Sequence, residues 1–370
     1  MADILVVGAR GIPDAEGGAE KHAEKTFPYF VKHGCSVTLL GMKPYIRSRQ
    51  YKGVKLVAIP TLRVANTDKV VYHILALLYA ALTRPKLVHL QGLNSALLLV
   101  FYKMFGLRVV LRYGSTDHLH AKWGLLGRLC FRLCDMQVRF ADRVITVSEV
   151  YKQQLQDRYK LSNIDVVPNG VDHPSVCDEA QRFWSSLDIA KDRYVLAVGR
   201  LTVDKDYDTL VRAMDTLRDT GVKLVVAGGP SEAKYAARLF ANNGDRIKFI
   251  GRVDRRLLTA LYENCAVFVN SSRHEGLSNA ILEAVSFRRP IVVSDISANK
   301  EMKLPSNCYF ATGDAAALAD RINNALEAGD SFVAQNSLFC DWRDVFERTR
   351  QVYVNVLPKI STAAIALAKT

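Results

Sequence analysis

The 370-residue chain has no CxxC pair and no Cys/His spacing of the kind that holds a metal. Its seven cysteines, an odd number, are scattered at 35, 130, 134, 177, 265, 308 and 340. A disulfide framework and a structural metal site are therefore not expected, and the thiols read as small apolar residues in a reducing compartment. Long apolar runs are missing too. The uncharged stretch 70–83 has 14 residues; as a helix it would rise about 21 Å, against roughly 30 Å of bilayer hydrocarbon. The first strand-like run, Ile4–Val7, starts almost at Met1, so no basic leader is expected ahead of it. What is present, 49% hydrophobic and 24% charged residues, is the composition of a globular protein, and the length allows about two domains.

Acidic residues are scarce in one half only. Residues 1–168 hold 24 Lys+Arg against 12 Asp+Glu, net +12, whereas 169–370 hold 26 against 25, net +1. Such a half suits an anionic partner. An anionic membrane surface is the better candidate, because no RRM signature, zinc finger or Arg/Gly tail points to nucleic acid.

Apolar runs ending in glycine or turn residues recur at 4–7, 36–40, 56–59, 87–90, 109–111 and 144–147, and again at 194–198, 223–227, 247–250, 266–270 and 290–294. Most are separated by helix-length segments, the rhythm of parallel sheets covered on both faces. Two doubly wound α/β domains follow. Val167-Pro168-Asn169-Gly170-Val171-Asp172 punctuates the chain just after a strand, so the boundary falls near 170. In such sheets ligands bind beyond the carboxyl ends of the strands.

The sharpest segment is Ser271-Ser272-Arg273-His274-Glu275-Gly276-Leu277-Ser278-Asn279-Ala280-Ile281-Leu282-Glu283. A strand ends near Asn270 and a helix opens near Leu277-Ser278, offering free N–H groups and a positive dipole end to a phosphate. Glu275 and Glu283 would flank that phosphate and grip hydroxyls on either side, as a diphosphate carrying two sugars requires. Taken singly, each has a plainer reading: Glu275 as a helix-start acid, Glu283 as an ordinary exposed helix position. Arg200 and Lys205, in the loop after the domain's first strand, would lie on the same rim and clamp two phosphates.

The Glu-x7-Glu segment, Arg200 with Lys205, the 167–172 junction and Gly228-Gly229-Pro230 resemble the retaining glycosyltransferases of family 4, which have the GT-B fold. Gly11-Ile12-Pro13, Gly17-Gly18-x-Glu20 and Ala121-Lys122-Trp123-Gly124 resemble the rhamnosyltransferase-like subgroup. The resemblance spans nearly the whole chain. It implies two Rossmann-like domains facing across a cleft: 1–170 for the acceptor, 171–345 for the nucleotide sugar, and 346–370 returning to the first domain. Glu275 would contact the donor sugar, Glu283 the ribose, and Arg200 and Lys205 the diphosphate. Arg252 and Val253, after Gly251, match the place where the backbone pairs with the base. Gly276, Leu277, Ser278 and Asn279 form the helix start at the phosphates. Gly17 and Gly18 would let the backbone approach the diphosphate, the alternative being a plain tight turn.

Where relatives carry a His or Asp-Gly, this chain has Arg112-Tyr113-Gly114-Ser115-Thr116-Asp117-His118-Leu119-His120. His118 is the candidate at the reacting centre, with Asp117, His120 and Lys122 on the acceptor side; a loop histidine is also simply solvated in many proteins. Gln91 stands where relatives often carry a second His. No cofactor or metal is expected, and the DxD string Asp204-Lys205-Asp206 reads as chance. A hexosyl transfer from a nucleoside diphosphate sugar to a lipid-linked or cell-surface glycan is the function implied; a non-catalytic nucleotide-sugar-binding subunit and a GT-B epimerase or phosphorylase are the alternatives. Gly8-Ala9-Arg10-Gly11 does not give GxGxxG, which counts against a dehydrogenase.

Between 122 and 143, Arg128, Arg132 and Arg139 form a basic stripe beside Leu125, Leu129, Leu133, Met136 and Phe140. Either the apolar face is core and the stripe its solvated edge, or the two rest together on anionic headgroups. The second reading expects a cytoplasmic protein peripheral to the inner face of the plasma membrane. In the last segment, Trp342, Val345, Phe346, Thr349, Val352 and Tyr353 have helical spacing, and in the resembled fold such a helix crosses back to the first domain.

Overall fold

The computed structural model describes residues 3–15, 17–61, 68–114, 125–172, 189–217, 221–242, 244–334 and 340–357. The chain divides into two units, Met1–Gly170 with Cys340–Thr370, and Val171–Phe339. The final segment thus joins the first unit from Cys340, six residues before the expected 346, because Trp342 and Val345 already belong to the first unit's core.

In the first unit the strands are β1 (Ile4–Val7), β2 (Val37–Met42), β3 (Gln50–Tyr51), β4 (Val54–Ile59), β5 (Leu87–Gln91), β6 (Val109–Tyr113), β7 (Arg143–Thr146) and β8 (Ile164–Val166). They form one sheet in the order β3-β4-β2-β1-β5-β6-β7-β8, parallel except for the short hairpin strand β3. The central strands β1, β2, β5 and β6 are buried along their full length. That is why they read as unbroken apolar runs rather than as alternation. The helices are α1 (Gly18–Lys32), α2 (Asp68–Thr83), α3 (Leu99–Met104), α4 (Leu125–Gln137) and α5 (Glu149–Tyr159). Right-handed crossovers place α1, which leads from β1 to β2, on one face; α2 to α5, which run the other way across the sheet, lie on the opposite face.

The second unit begins at Val171, within the short strand β9 (Gly170–Val171). Its strands are β10 (Tyr194–Val198), β11 (Lys223–Ala227), β12 (Ile247–Gly251), β13 (Val267–Asn270), β14 (Ile291–Ser294) and β15 (Tyr309–Phe310). All are parallel, in the order β12-β11-β10-β13-β14-β15. The order reverses at β10, which lies between β11 and β13. The loops after β10 and β13 therefore meet at a topological switch point. The helices are α6 (Tyr207–Asp215), α7 (Ala233–Phe240), α8 (Arg255–Asn264), α9 (Asn279–Ser286), α10 (Ser297–Lys300) and α11 (Ala315–Glu327).

Strand β16 (Cys340–Asp341) leads into α12 (Trp342–Val356). Asp341 caps the helix, its carboxylate accepting from Asp344 N at 2.7 Å. The six residues with helical spacing are its buried face. Phe346 stacks on Tyr29 and meets Phe30 edge-on at 4.8 Å, and Tyr353 stacks on Phe30 at 5.0 Å. Burying each large apolar side chain is worth about 1.5–3 kcal/mol, enough to hold α12 on α1. Gly170 is needed beside it, since a Cβ there would lie 2.7 Å from the Trp342 ring.

Part of the polar interior of this unit is a buried chain. His89 Nε2 and Gln91 Oε1 are 2.7 Å apart, Gln91 Nε2 reaches His22 Nδ1 at 2.7 Å and Ala19 O at 2.9 Å, and Tyr353 OH meets His89 Nδ1 at 2.7 Å. With the hydroxyl donating to Nδ1, His89 donates from Nε2 to the amide oxygen. Burial pushes the His89 imidazole down to about 3 and His22 well below its ordinary value. Both rings are neutral.

Candidate functional site

Two strand ends in the second unit approach so closely that glycine is obligatory. A Cβ on Gly228 would sit 1.9 Å from Gly199 O. Leu201 N donates to Gly229 O at 3.0 Å and Gly228 N to Gly251 O at 2.8 Å. This fixes the loop that carries Arg200 and Lys205 beside Gly228-Gly229-Pro230. From the other side, Arg273 N donates to Asp204 O at 2.8 Å and Ser271 Oγ to Lys205 O at 2.8 Å, which sews the loop after β13 to the loop after β10.

Between these loops Lys205 Nζ pairs with Glu275 Oε1. Ser272 Oγ donates to the same oxygen at 2.8 Å, and Asn270 Nδ2 makes long contacts to Glu275 Oε1 at 3.5 Å and Ser278 Oγ at 3.4 Å. Every Glu275 contact falls on Oε1, so Glu275 Oε2 has no partner among the described residues. Ser278 is the N-cap of α9, in extended backbone and without a side-chain cap bond, so a charged ligand there meets an open helix start. Arg200 is exposed on the β10 loop. Tyr207, buried at the start of α6, donates to Gly199 O at 3.0 Å; burial, and then the Glu275 charge, raise its ionisation well above the usual phenol range.

Glu283 is not an exposed helix position. It lies buried inside α9 and accepts from Arg255 Nη1 at 2.7 Å, while Arg255 Nη2 reaches Asp172 Oδ2 at 2.9 Å. Burial works against the Arg255 charge, but the Glu283 and Asp172 carboxylates hold its pKa above the ordinary value. Arg252 is exposed and runs along Gly229, and Val253 packs half-buried on the core. Gly276 and Leu277 are half-buried before Ser278, and Asn279 opens the helix. Within the DxD string, the buried Asp206 pairs with Arg273 Nε at 2.9 Å and accepts from Thr209 Oγ1 at 2.8 Å.

In the first unit, Gly17 is the N-cap of α1 with φ +127°, and a Cβ there would lie 2.2 Å from Glu20 Oε2. Glu20 is buried and binds Arg10 through N at 3.1 Å and Nε at 2.9 Å. Gly18 is the first, exposed residue of α1. Gln91 faces the buried histidine chain. The candidates Asp117, His118, His120 and Lys122 lie outside the described residues.

Sequence comparison adds the families. Residues 192–328 match "Glycosyl transferases group 1" and residues 16–174 match "Glycosyltransferase Family 4". Each half of the chain thus matches a glycosyltransferase family model, and the fold is of the GT-B type. An uncharacterized glycosyltransferase of Methanocaldococcus jannaschii is 31% identical over 171 residues, 43% of this chain. That match spans 44% of the relative's own length. The phosphatidylinositol N-acetylglucosaminyltransferase GPI3 subunit of Saccharomyces cerevisiae is 24% identical over 92% of this chain and 80% of its own. In fold, the chain is similar to Anabaena HepE, crystallised with UDP and glucose, with a TM-score of 0.78 at 16% identity over 95% of this chain and 99% of that one.

Within residues 192–328, sequence reasoning missed Arg255, Arg273, Ser272 and Asn270. Ser272 was visible in principle, three residues before Glu275. Arg255 carried only the signal of an Asp254-capped helix start, since its pairing with Glu283 spans 28 positions of sequence.

Proposed function

We propose that the protein is a retaining, metal-independent hexosyltransferase. It takes a sugar from a nucleoside diphosphate donor and passes it to a hydroxyl of a lipid-linked or cell-surface glycan intermediate. The observation that carries this reading is the unsymmetrical use of Glu275. One carboxylate oxygen is fixed by Lys205 and Ser272, and the other is left to accept from a ligand.

Transfer breaks the bond between the anomeric carbon and a diphosphate oxygen. Negative charge builds on the leaving group and oxocarbenium character on the ring. In the proposal Lys205 and Arg200, with the open N-terminus of α9, receive the diphosphate, and Glu275 Oε2 accepts from a sugar hydroxyl. The acceptor hydroxyl adds to the anomeric carbon on the face the leaving group vacates, and its proton departs with the diphosphate. Donors fixed in advance cost no reorganisation as charge develops; losing one such donor costs about 3 kcal/mol, a factor of about 10²–10³ in rate. Glu283 holds the ribose, with Arg255 positioning its carboxylate. His118 remains the proposed group at the reacting centre, with Asp117, His120 and Lys122 on the acceptor side.

The sugar, base and acceptor follow from incubating the protein with a lipid-linked extract and a panel of labelled nucleotide sugars, read by mass. A hexose-sized increase on a lipid-linked species, together with release of nucleoside diphosphate, is the expected result. Tight nucleotide-sugar binding with no transfer and no hydrolysis across the panel would make the chain a binding subunit instead.

A further inference from the structure

The helix layer formed by α2, α3 and α4 is apolar on its outer side as well as its inner side. On α2, Tyr72, Ala76, Leu77 and Ala80 face the sheet, while Val70, Ile74, Leu78 and Leu82 are exposed. On α4 and the turn after it, Phe131, Cys134 and Val138 are buried, while Leu129, Leu133, Met136 and Phe140 are exposed. Those four fall within about 60° on a helix wheel. Phe101, Met104 and Phe105, on α3 and just past it, add to the same surface, with Met104 74% exposed. The turn at Leu93–Leu98 packs against all three helices, and right-handed crossovers place them on one face of the sheet. Among the described residues, the remaining exposed large apolar side chains are only Tyr45, Val203 and Phe240. The apolar stripe of α4 is therefore not core, as one of the two sequence readings had it.

Cations border this surface. Arg128, Arg132 and Arg139 are exposed one position before Leu129, Leu133 and Phe140, and Lys69, Arg84 and Arg108 are exposed nearby. Beyond Asp68 at its first position, the three helices contain one acid, Asp135. It is buried and engaged by Tyr113, Arg158 and Tyr159. Among the described side chains of these helices no acid is exposed, and an apolar surface edged by arginine does not suit a second copy of itself, because a two-fold contact would set the cations of one copy toward those of the other.

We infer that the α2–α3–α4 layer is a seat on an anionic lipid bilayer, its leucines, phenylalanines and methionines entering the acyl boundary and its arginines meeting headgroup phosphates. The charge and the apolar area act together: each headgroup-facing cation strengthens binding about fivefold in anionic membranes, and the buried apolar side chains make it persist in salt. The surface is defined without reference to the transfer reaction. Its use to bring the enzyme to a lipid-linked acceptor rests on the function proposed above.

The test is flotation of the purified chain, without nucleotide sugar, on phosphatidylcholine vesicles with and without phosphatidylglycerol. The chain is expected to float with the anionic vesicles and to be weakened, not released, by salt. Replacing Arg128, Arg132 and Arg139 with Gln should weaken binding about a hundredfold. Leu78→Ser with Leu133→Ser should make the residual binding fully salt-labile. Val203→Ser, an exposed apolar position of the second unit, should change nothing. All these side chains are exposed, so thermal unfolding should stay at the wild-type midpoint. Absence of flotation with anionic vesicles, flotation untouched by the variants, or a wild-type dimer in sedimentation that the Leu variants dissociate would each overturn the inference. Flotation lost while transfer to a soluble acceptor persists removes the lipid seat alone; transfer absent while flotation persists removes the proposed function alone.

Discussion

Acid should loosen the first unit through its buried histidines. His89 sits in a fully hydrogen-bonded neutral state with its pKa near 3, and His73, buried on α2, near 4, in both cases mainly through burial. In the unfolded chain both titrate near 6.5. Between the two values the unfolded state binds more protons than the fold, so stability falls as pH falls, and above 6.5 neither ring contributes. Each histidine should remove about 1.4 kcal/mol per pH unit below 6.5. At pH 5 the two together should cost about 4 kcal/mol, a large fraction of an ordinary domain's stability. Hydrogen exchange of peptides from β5 and α12, followed by mass spectrometry at several pH values, reads this locally. The control is His89→Leu, which strands Gln91 Oε1 and Tyr353 OH and should lower protection at pH 7.5 by about 1–3 kcal/mol. It should also flatten the acid slope by about 1.4 kcal/mol per pH unit. A wild-type opening free energy that is level from pH 7 to pH 5, or a His89→Leu slope equal to wild type, would refute the reasoning.

Other outcomes follow from the same contacts. Gly228→Ala must move two backbone segments apart by over an ångström, since its Cβ would otherwise meet Gly199 O at 1.9 Å; calorimetry should show a loss of about 1–3 kcal/mol. Arg255→Ala leaves the Glu283 carboxylate buried without its guanidinium, costing about 1–3 kcal/mol at pH 7. Urea titrations of the variant beside the wild type would reveal it. Trp342→Ala opens a cavity beside Gly170 and should lower first-unit stability by about 3–5 kcal/mol, seen as early exchange of α12.

Much of the architecture was legible because strands buried on both faces leave unbroken apolar runs, and because glycine and proline close them. The helix after Asp341 was readable from six spaced positions, but periodicity marks a face and not a first residue, so the return to the first unit begins earlier than expected, at Cys340. A wheel also shows stripes without saying which one meets the core. On α4 the interior is lined by Phe131, Cys134 and Val138, and the broader leucine stripe points outward. Glu275 and Lys205 could be singled out because loops after parallel strands carry chemistry. The division of labour between the two oxygens of Glu275, and the Arg255 bridge to Glu283, depend on side chains brought together by the sheet and left no local trace. Gln91 looked like a site residue by position, yet its amide is consumed by two histidines inside the fold.

The most direct test of the central claim is release of nucleoside diphosphate from nucleotide sugars by the wild-type chain and by Lys205→Ala and Glu275→Ala. The account predicts measurable turnover with at least one donor, lowered about 10²–10³-fold in each variant while thermal unfolding shows both remain folded. Turnover at the wild-type rate in both folded variants would contradict it.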